Sequence, residues 1–589
     1  MITNAENLNI LWSSLVVGEL VRNQVTCFCI SPGSRSAPLT VAAARNVKAK
    51  TTVFYDERGA AFYALGYAKA TGNPAALICT SGTAVANYYP AIIEASMDRI
   101  PLIVLTADRP PELLETGANQ AIRQSNIYGE YVRWQFNLPC PDDEIPPSMV
   151  LTTIDQLVYK ARRSPAGPVH LNCMFREPLA PVSKKINPGY QKKILSWQGS
   201  DTPFTTLSKP ALTPDKETIN RMVEIISSAR RGLLVAGRLN TKEEIEAVKR
   251  LSVRLKWPVY PDIASGLRIG FPDRFLLAYF DQMLLSGKVC KKLDLDVILM
   301  AGSRTTSKRF LEFVSTHRPF HFIVIENHPE RSDPSHSSKW RVEADICEVL
   351  ALMEGRLRSA TDESWKQNLY ELSKGTGKII RDYLFDSGIL NEMLIARLVS
   401  ENIPEGHGMF LGNSMPIRDM DMYSDPDGPW IRIGTNRGAS GIDGNIATAA
   451  GFARGLKCPV TLIIGDLAFI HDLNSLSILE RMDRQVIIIV INNRGSGIFS
   501  FLPISNFTDV FETYFGTPHD YCFEDAARLF HIPYFQPGDP GAFIKDYRAA
   551  IKGEKTAIIE VRLDREENKR FHKELDGKII SFLESSWGK

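Results

Sequence analysis

The chain has 589 residues, too many for one hydrophobic core, which predicts about three or four domains. Its 44% hydrophobic and 23% charged residues are typical of a soluble globular protein. Lys and Arg number 69 against 67 Asp and Glu, and the resulting formal charge of +2 gives no support for nucleic acid or another polyanion as a partner.

The N-terminal segment predicts an amphipathic helix rather than a signal peptide, because acids lie inside its apolar pattern. Apolar runs stay shorter than the roughly 18 residues that a membrane span needs, so stable membrane insertion is not expected. The nine cysteines include no CxxC pair and lie mostly in strand-like runs, which favours reduced core thiols in a cytoplasmic protein. The ten histidines lack the spacing of a zinc site.

Short β-rich runs alternate with helical patterns along almost the whole chain. In chain order they are VTCFCI, AALICT and PLIVLTA, then GLLVAG, DVILMAG and FHFIVIE, and finally VTLIIGD, VIIIVINN and TAIIEVRL. Continuous apolar runs indicate strands that are buried on both faces. With helices between them, these strands predict an α/β fold of three doubly wound domains with mainly parallel sheets.

Two segments without apolar periodicity suggest where the domains meet. Residues 181–215 are rich in Pro, Lys, Ser and Thr, and residues 353–380 are polar and charged. We therefore predict domains over residues 1–182, 210–352 and 380–589, with linkers over 183–209 and 353–379.

The first and last domains share an order of strand, polar turn, helix, Met-Asp-Arg, strand and polar turn. In the first domain the pattern runs from Leu77 to Met97, and in the last from Leu462 to Met482 (97 − 77 = 20 and 482 − 462 = 20). This shared order and spacing predict that the two domains are duplicates.

Two apolar runs of the last domain end in oxygen-bearing side chains, Asp466 and Asn493. Residues at the carboxyl ends of parallel strands face the crevice where ligands bind. Together with the backbone carbonyl of Gly495, these side chains would offer only oxygen ligands, which suit Mg²⁺ or Ca²⁺. From spacing alone, an alternative stays open in which Asp466 caps the next helix and Asn492-Asn493 form a turn.

Three further segments carry residues suited to a cofactor. Asn413 and Ser414 follow an apolar stretch and could donate to a phosphate, and glycines 438, 441 and 444 would let the backbone approach a ligand. Glu57 follows a β-rich run and begins an Ala-rich helix. Taken alone, an acid there is commonly only a favourable charge for the helix dipole.

Together these segments resemble the thiamine diphosphate enzymes, and within them the 2-succinyl-5-enolpyruvyl-6-hydroxy-3-cyclohexene-1-carboxylate synthase family of menaquinone biosynthesis. The motifs that carry the resemblance are GDLAFIHDLNSL, PGSRSAPL, TADRPPELLETGANQAIRQ, SKRF, GNSMPIRD and NRGASGIDG. The resemblance runs from near Leu8 into the last domain and is weakest in the middle third. Leu467 departs from the wider superfamily, in which a small residue follows the Asp, and this departure narrows the match to the synthase family.

The resemblance implies a thiamine diphosphate-binding fold that holds thiamine diphosphate with Mg²⁺, for which Mn²⁺ or Ca²⁺ could substitute. The implied metal ligands are Asp466, Asn493 and Gly495, and the implied cofactor contacts are Glu57, Asn413, Ser414, Ile442, Asp466, Leu467 and Asn493. Glu57 would be the catalytic residue, with its carboxylate at the pyrimidine N1′ of the cofactor, where it favours the imino tautomer. Ile442 would keep the cofactor bent, although without the resemblance it would be taken for a core isoleucine.

The implied reaction is decarboxylation of 2-oxoglutarate and 1,4-addition of the resulting succinyl-semialdehyde carbanion to isochorismate. Both substrates are dicarboxylates, which guanidinium groups bind through two hydrogen bonds. Any single Arg is more often a solvated surface charge, but six cations in turns that carry Gly or Pro point to a substrate site. The implied substrate residues are Ser34, Arg35, Arg109, Asn119, Gln120, Lys308, Arg309, Ser414, Arg418, Arg437, Ile498, Phe499 and Leu502.

Glu57 and the metal motif lie on different duplicated domains, so the resemblance implies a site shared between two chains. A dimer is then the minimum assembly, and a tetramer would form by pairing of dimers. One alternative is another thiamine diphosphate enzyme, such as an acetolactate-synthase-like enzyme, which the arginine set disfavours because pyruvate has one carboxylate. The other is a non-catalytic nucleotide-binding regulatory protein, which the retention of Glu57, Asp466 and Asn493 disfavours.

Overall fold

The structure, a computed structural model, describes residues 5–271 and 275–587. The residues up to Pro210 form one compact unit together with Asn436–Lys457 and His471–Arg484. A second unit contains Ala211–Thr435, Cys458–Ile470 and the residues from Gln485 onward. Within the described ranges, none of the helices combines the length and apolarity that a bilayer crossing requires. All nine cysteines are free thiols.

The first unit contains a six-stranded parallel sheet. Its strands are β1 (Cys27–Ile30), β2 (Lys50–Val53), β3 (Ala75–Cys79), β4 (Leu102–Asp108), β5 (Gln135–Leu138) and β6 (Pro168–Met174), in the order β2-β1-β3-β4-β6-β5. Strands β1, β3 and β4 are buried along their whole length, as their continuous apolar runs predict. The helices between and after these strands are α1 (Leu8–Arg22), α2 (Ala37–Arg45), α3 (Glu57–Thr71), α4 (Thr83–Asn87), α5 (Tyr89–Asp98), α6 (Pro147–Arg162), α7 (Pro188–Lys192) and α8 (Leu195–Gln198).

The segment predicted as the first linker packs into the first unit, because α7 and α8 each bury an aromatic side chain. Trp12 Nε1 donates to the hydroxyl of Tyr190 at 2.9 Å, and Trp197 Nε1 donates to the carboxylate of Glu19. These aromatic residues are separated by polar ones, so the sequence shows no apolar periodicity. The predicted domain boundaries themselves stay a prediction.

The second unit contains a five-stranded parallel sheet in its middle part. Its strands are β7 (Gly232–Ala236), β8 (Val259–Pro261), β9 (Val297–Ala301), β10 (His321–Glu326) and β11 (Trp340–Glu343), in the order β11-β10-β9-β7-β8. The helices of this part are α9 (Lys216–Ser228), α10 (Lys242–Leu255), α11 (Phe280–Met283), α12 (Gly287–Leu293), α13 (Lys308–Thr316) and α14 (Ile346–Glu354).

A third parallel sheet, also in the second unit, has six strands. They are β12 (Gly408–Leu411), β13 (Arg432–Thr435), β14 (Val460–Gly465), β15 (Val486–Asn492), β16 (Tyr534–Phe535) and β17 (Ala557–Arg562). The remaining helices are α15 (Glu363–Asp386), α16 (Glu392–Asn402), α17 (Met415–Tyr423), α18 (Asn445–Leu456), α19 (Asp466–His471), α20 (Leu476–Leu479), α21 (Thr508–Phe511), α22 (Glu524–Leu529), α23 (Pro540–Lys552) and α24 (Arg565–Ser586). Helix α15 covers much of the second predicted linker, and α18 and α20 belong to the first unit.

The first and third sheets have the same topology, which supports the predicted duplication. The third sheet has the order β13-β12-β14-β15-β17-β16, which repeats the first order strand for strand. The two copies of the sequence pattern are offset by 385 residues (462 − 77 = 385). The ion pairs Lys69–Asp98 and Arg454–Asp483 repeat this offset, since 454 − 69 and 483 − 98 are both 385. The predicted α/β class with three parallel sheets is confirmed.

Helices α3 and α18 of the first unit cross at two glycines that this offset relates, Gly66 and Gly451. A Cβ on Gly66 would lie 1.9 Å from the carbonyl oxygen of Thr448, and a Cβ on Gly451 would lie 1.9 Å from that of Tyr63. Tyr63 and Thr448 are related by the same offset (448 − 63 = 385). The crossing is therefore locally two-fold symmetric, and each helix requires a glycine at the point of closest approach.

Candidate active site

Asp466 and Gly495 come together at the carboxyl edge of the third sheet. Strands β14 and β15 are parallel neighbours that end at adjacent positions, so both chains leave the sheet at the same edge. The backbone N–H of Gly495 donates to Asp466 Oδ2 at 2.9 Å, and that of Leu467 donates to Asp466 Oδ1 at 2.6 Å. Asn493 follows β15 directly and is buried beside them. The predicted metal ligands thus lie at one edge of one sheet.

The adjacent residues Asn492 and Asn493 use their amides differently. Asn492 Oδ1 accepts from the N–H of Arg494 at 3.2 Å, and its Nδ2 donates to Glu560 at 2.7 Å. Asn493 Nδ2 donates to Glu392 Oε1 at 2.8 Å, whereas its buried Oδ1 has no hydrogen-bond partner among the described residues. Asn492 therefore stabilises the turn after β15, as the alternative interpretation expected. Asn493 has an amide oxygen left for a ligand.

Buried carboxyl groups surround this edge of the sheet. Burial raises the pKa of Asp466, and burial together with the charge of Asp466 raises the pKa of Glu392 to about 7. Burial, and then repulsion from Glu392, also raises the pKa of Asp419. His519 Nε2 lies 3.2 Å from Asp466 Oδ2. A bound cation would offset the repulsion among these buried carboxyl groups.

The donor set at this edge fits a hard divalent cation. A carboxylate, an amide oxygen and a backbone carbonyl are the ligand types that Mg²⁺ and Ca²⁺ prefer. The buried oxygen of Asn493 has no hydrogen-bond partner among the described residues, and such a cation would satisfy it. Across residues 5–271 and 275–587, no group of three or more His, Cys, Asp or Glu side chains is arranged to hold a metal. The predicted ligand set contains only one such side chain, Asp466.

Ser414 lies at the start of α17 in a strained backbone conformation. Its φ is +72°, a left-handed value that costs a residue with a side chain roughly 1–3 kcal/mol. Its side chain makes no helix cap, so the first N–H groups of α17 can serve an anion. Asn413 is buried beside it, and Arg418 folds back to donate to the Ser414 carbonyl. Burial lowers the pKa of Arg418.

The predicted apolar wall lies in the segment after β15. Ile498 and Phe499 are half-buried in a short 3-10 helix, Gly497–Phe501, and Phe499 packs edge-on against Phe515 with ring centres 5.7 Å apart. Leu502 is 38% exposed. These residues are therefore outside the core and present apolar surface.

Lys308 and Arg309 begin helix α13 in the middle part of the second unit. The side chain of Lys308 is 80% exposed and lies 3.3 Å from Glu312. Arg309 pairs with Asp281 and lies 3.6 Å from Asp576. Burial opposes the charge of Arg309, but these two acids raise its pKa overall. Its charge is thus already balanced within the protein, and a substrate role for both residues stays a prediction.

Glu57 is the first residue of α3 and follows strand β2. The preceding residue, Asp56, caps the helix by accepting from the N–H of Arg58 at 2.9 Å. The Glu57 carboxylate is half-buried, and Asn87 Nδ2 lies 3.5 Å from it. Since Asp56 already caps the helix, the Glu57 carboxylate contributes little to the local fold and can act on a ligand.

Arg35 and Arg109 lie close together at the carboxyl edge of the first sheet. Arg35 is buried, donates one hydrogen bond of 2.8 Å to the Phe175 carbonyl, and lies 3.7 Å from Glu177. Its Nε has no hydrogen-bond partner in the described part of the chain. Arg109 donates from Nε to the Asn119 carbonyl at 3.0 Å, with Nη2 3.4 Å from Gln120 Oε1. Burial lowers the pKa of Arg35, and the charge of Arg109 lowers it further. With exposed Ser34 beside Arg35, this cluster suits a carboxylate.

Arg437 and Ile442 lie in the segment before α18, within the first unit. The backbone N–H groups of Gly438 and Ala439 donate to the carboxylate of Glu94 at 2.8 and 2.6 Å, which anchors this segment to α5. Arg437 is half-buried. Ile442 is 41% exposed, so it is not a core isoleucine.

Three residues near the predicted metal ligands could not be identified as part of the site from the sequence: Glu392, Asp419 and His519. Glu392 reads as an ordinary acid in the first turn of a helix, and His519 lies in a loop far along the chain. Only their burial and their contacts in the folded protein distinguish them from other acids and histidines of the chain.

Three family models match this chain. The N-terminal TPP-binding domain of thiamine pyrophosphate enzymes matches residues 12–127, the thiamine pyrophosphate middle domain matches 188–411, and the C-terminal TPP-binding domain matches 423–561. Thiamine pyrophosphate is another name for thiamine diphosphate.

Curated relatives match nearly the full chain, and each is named 2-succinyl-5-enolpyruvyl-6-hydroxy-3-cyclohexene-1-carboxylate synthase. The relative from Rubrobacter xylanophilus is 45% identical over 567 residues, 96% of this chain and 98% of its own. The one from Prosthecochloris aestuarii is 46% identical over 99% of both chains, and the one from Salinibacter ruber 43% identical over 99% of this chain and 98% of its own. Because of this similarity over nearly the full chain, and because the family models match, the chain belongs to the 2-succinyl-5-enolpyruvyl-6-hydroxy-3-cyclohexene-1-carboxylate synthase family of thiamine diphosphate enzymes.

Proposed function

We propose that the chain catalyses the thiamine diphosphate-dependent decarboxylation of 2-oxoglutarate and the 1,4-addition of the resulting four-carbon unit to isochorismate. The products would be 2-succinyl-5-enolpyruvyl-6-hydroxy-3-cyclohexene-1-carboxylate and CO₂, in menaquinone biosynthesis. The synthase name of the relatives supports this reaction over the pyruvate-specific and non-catalytic alternatives.

The observation that carries the proposal is the sheet edge where Asp466 and Gly495 meet and where the buried amide oxygen of Asn493 has no hydrogen-bond partner among the described residues. Asp466, Asn493 and the Gly495 carbonyl would hold Mg²⁺, while Asn413, Ser414 and Leu467 would contact the cofactor. When bound, thiamine diphosphate supplies the electron sink that lets a 2-oxo acid lose CO₂.

Glu57 and Ile442 would act on the other end of the cofactor. The Glu57 carboxylate would hold a proton at the pyrimidine N1′ atom, a role that needs an acceptor poorly solvated when the ligand is in place. Ile442 would pack against the cofactor and keep it bent. Its 41% exposure supports this role, because an exposed isoleucine has apolar surface left for a ligand.

Arg35 and Arg109 would bind a substrate carboxylate, with Ser34, Asn119 and Gln120 as polar contacts. The support is the unpartnered buried Nε of Arg35 beside a second guanidinium. Further substrate contacts would come from Lys308, Arg309, Ser414, Arg418, Arg437, Ile498, Phe499 and Leu502. A carboxylate bound beside Arg35 and Arg109 would favour the charged form of Arg35, whose pKa is lowered by burial and then by the charge of Arg109.

We also propose that the active assembly is at least a homodimer and that it works in the cytoplasm. The support is that Glu57 and the Asp466–Asn493 pair lie on the two duplicated domains, an arrangement that in the resembling family implies a site shared between two chains. Nine free thiols support a reducing compartment. A monomer that kept full activity on dilution would contradict the proposed assembly.

The reaction is tested by mass detection of the product from 2-oxoglutarate plus isochorismate. We expect the product only when both thiamine diphosphate and Mg²⁺ are present, with Mn²⁺ able to replace Mg²⁺, because the ligand set is all oxygen. Treatment with EDTA should abolish turnover, and added Mg²⁺ should restore it. Release of CO₂ from pyruvate in preference to 2-oxoglutarate would contradict the substrate assignment.

Replacement of Arg109 tests the carboxylate site. A hydrogen bond to a charged group contributes about 1.5–3 kcal/mol, so Arg109→Ala should raise the KM of one substrate about 10- to 100-fold. Thiamine diphosphate affinity should not change, because Arg109 is assigned to substrate only.

The matched control for this experiment is Arg176→Ala. Arg176 also follows the first sheet, but its guanidinium is already paired with Glu112 at 2.7 and 2.9 Å and is 54% exposed. We expect KM values close to those of the unmodified protein. The assignment of Arg109 is wrong if both KM values stay normal in Arg109→Ala while cofactor binding weakens.

A further inference from the structure

We infer that Glu392 is a positioning residue that turns the Asn493 amide so that its oxygen, rather than its NH₂ group, faces the divalent cation. This inference rests on the proposed function, because it takes Asn493 as a ligand of that cation. The contact that carries it is the 2.8 Å hydrogen bond from Asn493 Nδ2 to Glu392 Oε1. Both side chains are buried, at 7% and 3% exposure, so water does not compete for either group.

An asparagine amide can lie in two orientations of nearly the same shape, and only its hydrogen-bond partners select one of them. Glu392 Oε1 accepts the hydrogen bond from Asn493 Nδ2, and a carboxyl oxygen that carries no proton can only accept. The NH₂ end of Asn493 therefore faces Glu392, and the oxygen end faces the opposite way. That oxygen is buried and has no hydrogen-bond partner within residues 5–271 and 275–587. By binding the NH₂ group, Glu392 thus leaves the amide oxygen of Asn493 facing the proposed cation.

Glu392 is itself held rigidly. It is the first residue of α16, and the cap residue Asn391 accepts from the N–H of Leu394 at 2.9 Å. Asp419 of α17 also neighbours its carboxyl group. A side chain that is buried at a capped helix start has few alternative rotamers, so the acceptor stays where Asn493 needs it. Such contacts behind a metal ligand typically change metal affinity about 10- to 100-fold when removed.

The preceding asparagine provides an internal comparison. Asn492 Nδ2 also donates to a buried glutamate, Glu560, at 2.7 Å. The oxygen of Asn492, however, accepts from the backbone N–H of Arg494. The same Asn–Glu pairing therefore occurs twice, once with the amide oxygen satisfied by the protein and once with it left for a ligand. Loss of Glu560 should affect stability alone.

The experiment measures Mn²⁺ binding in the presence of thiamine diphosphate by electron paramagnetic resonance, on the full chain. Glu392→Met keeps the volume but removes the acceptor, and we expect its Mn²⁺ affinity to fall about 10- to 100-fold. Glu392→Gln keeps an acceptor but can also donate, so about half of the Asn493 amides would present their oxygen. Its affinity should fall only about twofold.

The matched controls are Glu560→Met and Glu560→Gln, which should lower the thermal unfolding midpoint and leave Mn²⁺ affinity unchanged. Wild-type affinity in Glu392→Met, or an equal loss in Glu560→Met, would overturn the inference. An equal loss in Glu392→Gln and Glu392→Met would also overturn it, since the charge and not the acceptor would then matter. If Glu392→Met does not fold, Glu392→Gln must still bind Mn²⁺ more weakly than Glu560→Gln. Failure of the unmodified protein to bind Mn²⁺ with thiamine diphosphate would contradict the proposed function instead.

Discussion

Glu57→Gln is expected to reduce turnover about 10²- to 10⁴-fold, the range that a positioned acid or base contributes. Gln fills the same space but cannot hold the pyrimidine N1′ proton as a carboxylate does. The fold should survive, because Asp56 caps the helix and the contact between the Glu57 carboxylate and Asn87 is long, at 3.5 Å. The measurements are product formation, thiamine diphosphate and Mn²⁺ affinity, and exchange of the cofactor's C2 proton in D₂O.

The adjacent acid is the control for this prediction. Asp56→Asn makes the same chemical change one residue earlier, and Asn caps a helix about as well as Asp. We expect near-normal turnover and stability in Asp56→Asn, and slow C2 exchange with normal metal affinity in Glu57→Gln. Unchanged product formation in Glu57→Gln would remove Glu57 from its proposed role. Loss of Mn²⁺ affinity in that variant would show that the substitution acts through the fold.

The position of Asp466 and Gly495 at one sheet edge could be predicted from the sequence, because general rules relate apolar runs to strands and strand ends to ligand sites. Continuous apolar runs give the parallel strands, and the carboxyl edge of such a sheet is where ligands bind. This is why Asp466 and Gly495 meet as expected. The rules do not show which way each side chain turns once the strand has ended. Asn492 and Asn493 are identical by type, and only their surroundings separate the structural residue from the proposed ligand.

Residues that contact the proposed metal ligands, such as Glu392, could not be predicted. Their role depends on burial in the folded protein and not on a sequence motif. Glu392 precedes Asn493 by 101 residues and has the sequence context of any acid at a helix start. Buried aromatic residues within the predicted first linker are likewise not evident from the residue pattern. Tyr190 and Trp197 stand among lysines and serines, yet both are buried in the first unit.

Gly66→Ala and Gly451→Ala are each expected to lower the free energy of unfolding by about 2–4 kcal/mol. Each added Cβ would lie 1.9 Å from a backbone carbonyl oxygen, whereas ordinary contacts lie near 3.5 Å. Backbone cannot turn aside as a side chain can, so α3 and α18 must separate. Because the crossing is locally two-fold symmetric, the two variants should be destabilised to a similar extent. Urea unfolding followed by fluorescence gives the comparison.

Gly577→Ala is the control for this pair, because its added Cβ would meet no atom within 4 Å and it lies inside helix α24. There we expect a neutral or slightly stabilising effect, since Ala favours a helix over Gly by roughly 0.5–1 kcal/mol.

The double variant Gly66→Ala/Gly451→Ala should lose less free energy of unfolding than the sum of the two single losses, because helices already separated by one Cβ accept the second more easily. Glu57 begins α3 and Ile442 precedes α18, so separation of the helices would also displace both proposed cofactor contacts. We therefore expect turnover to fall together with stability in each glycine variant. Normal stability in either one would show that the helices do not cross at these glycines.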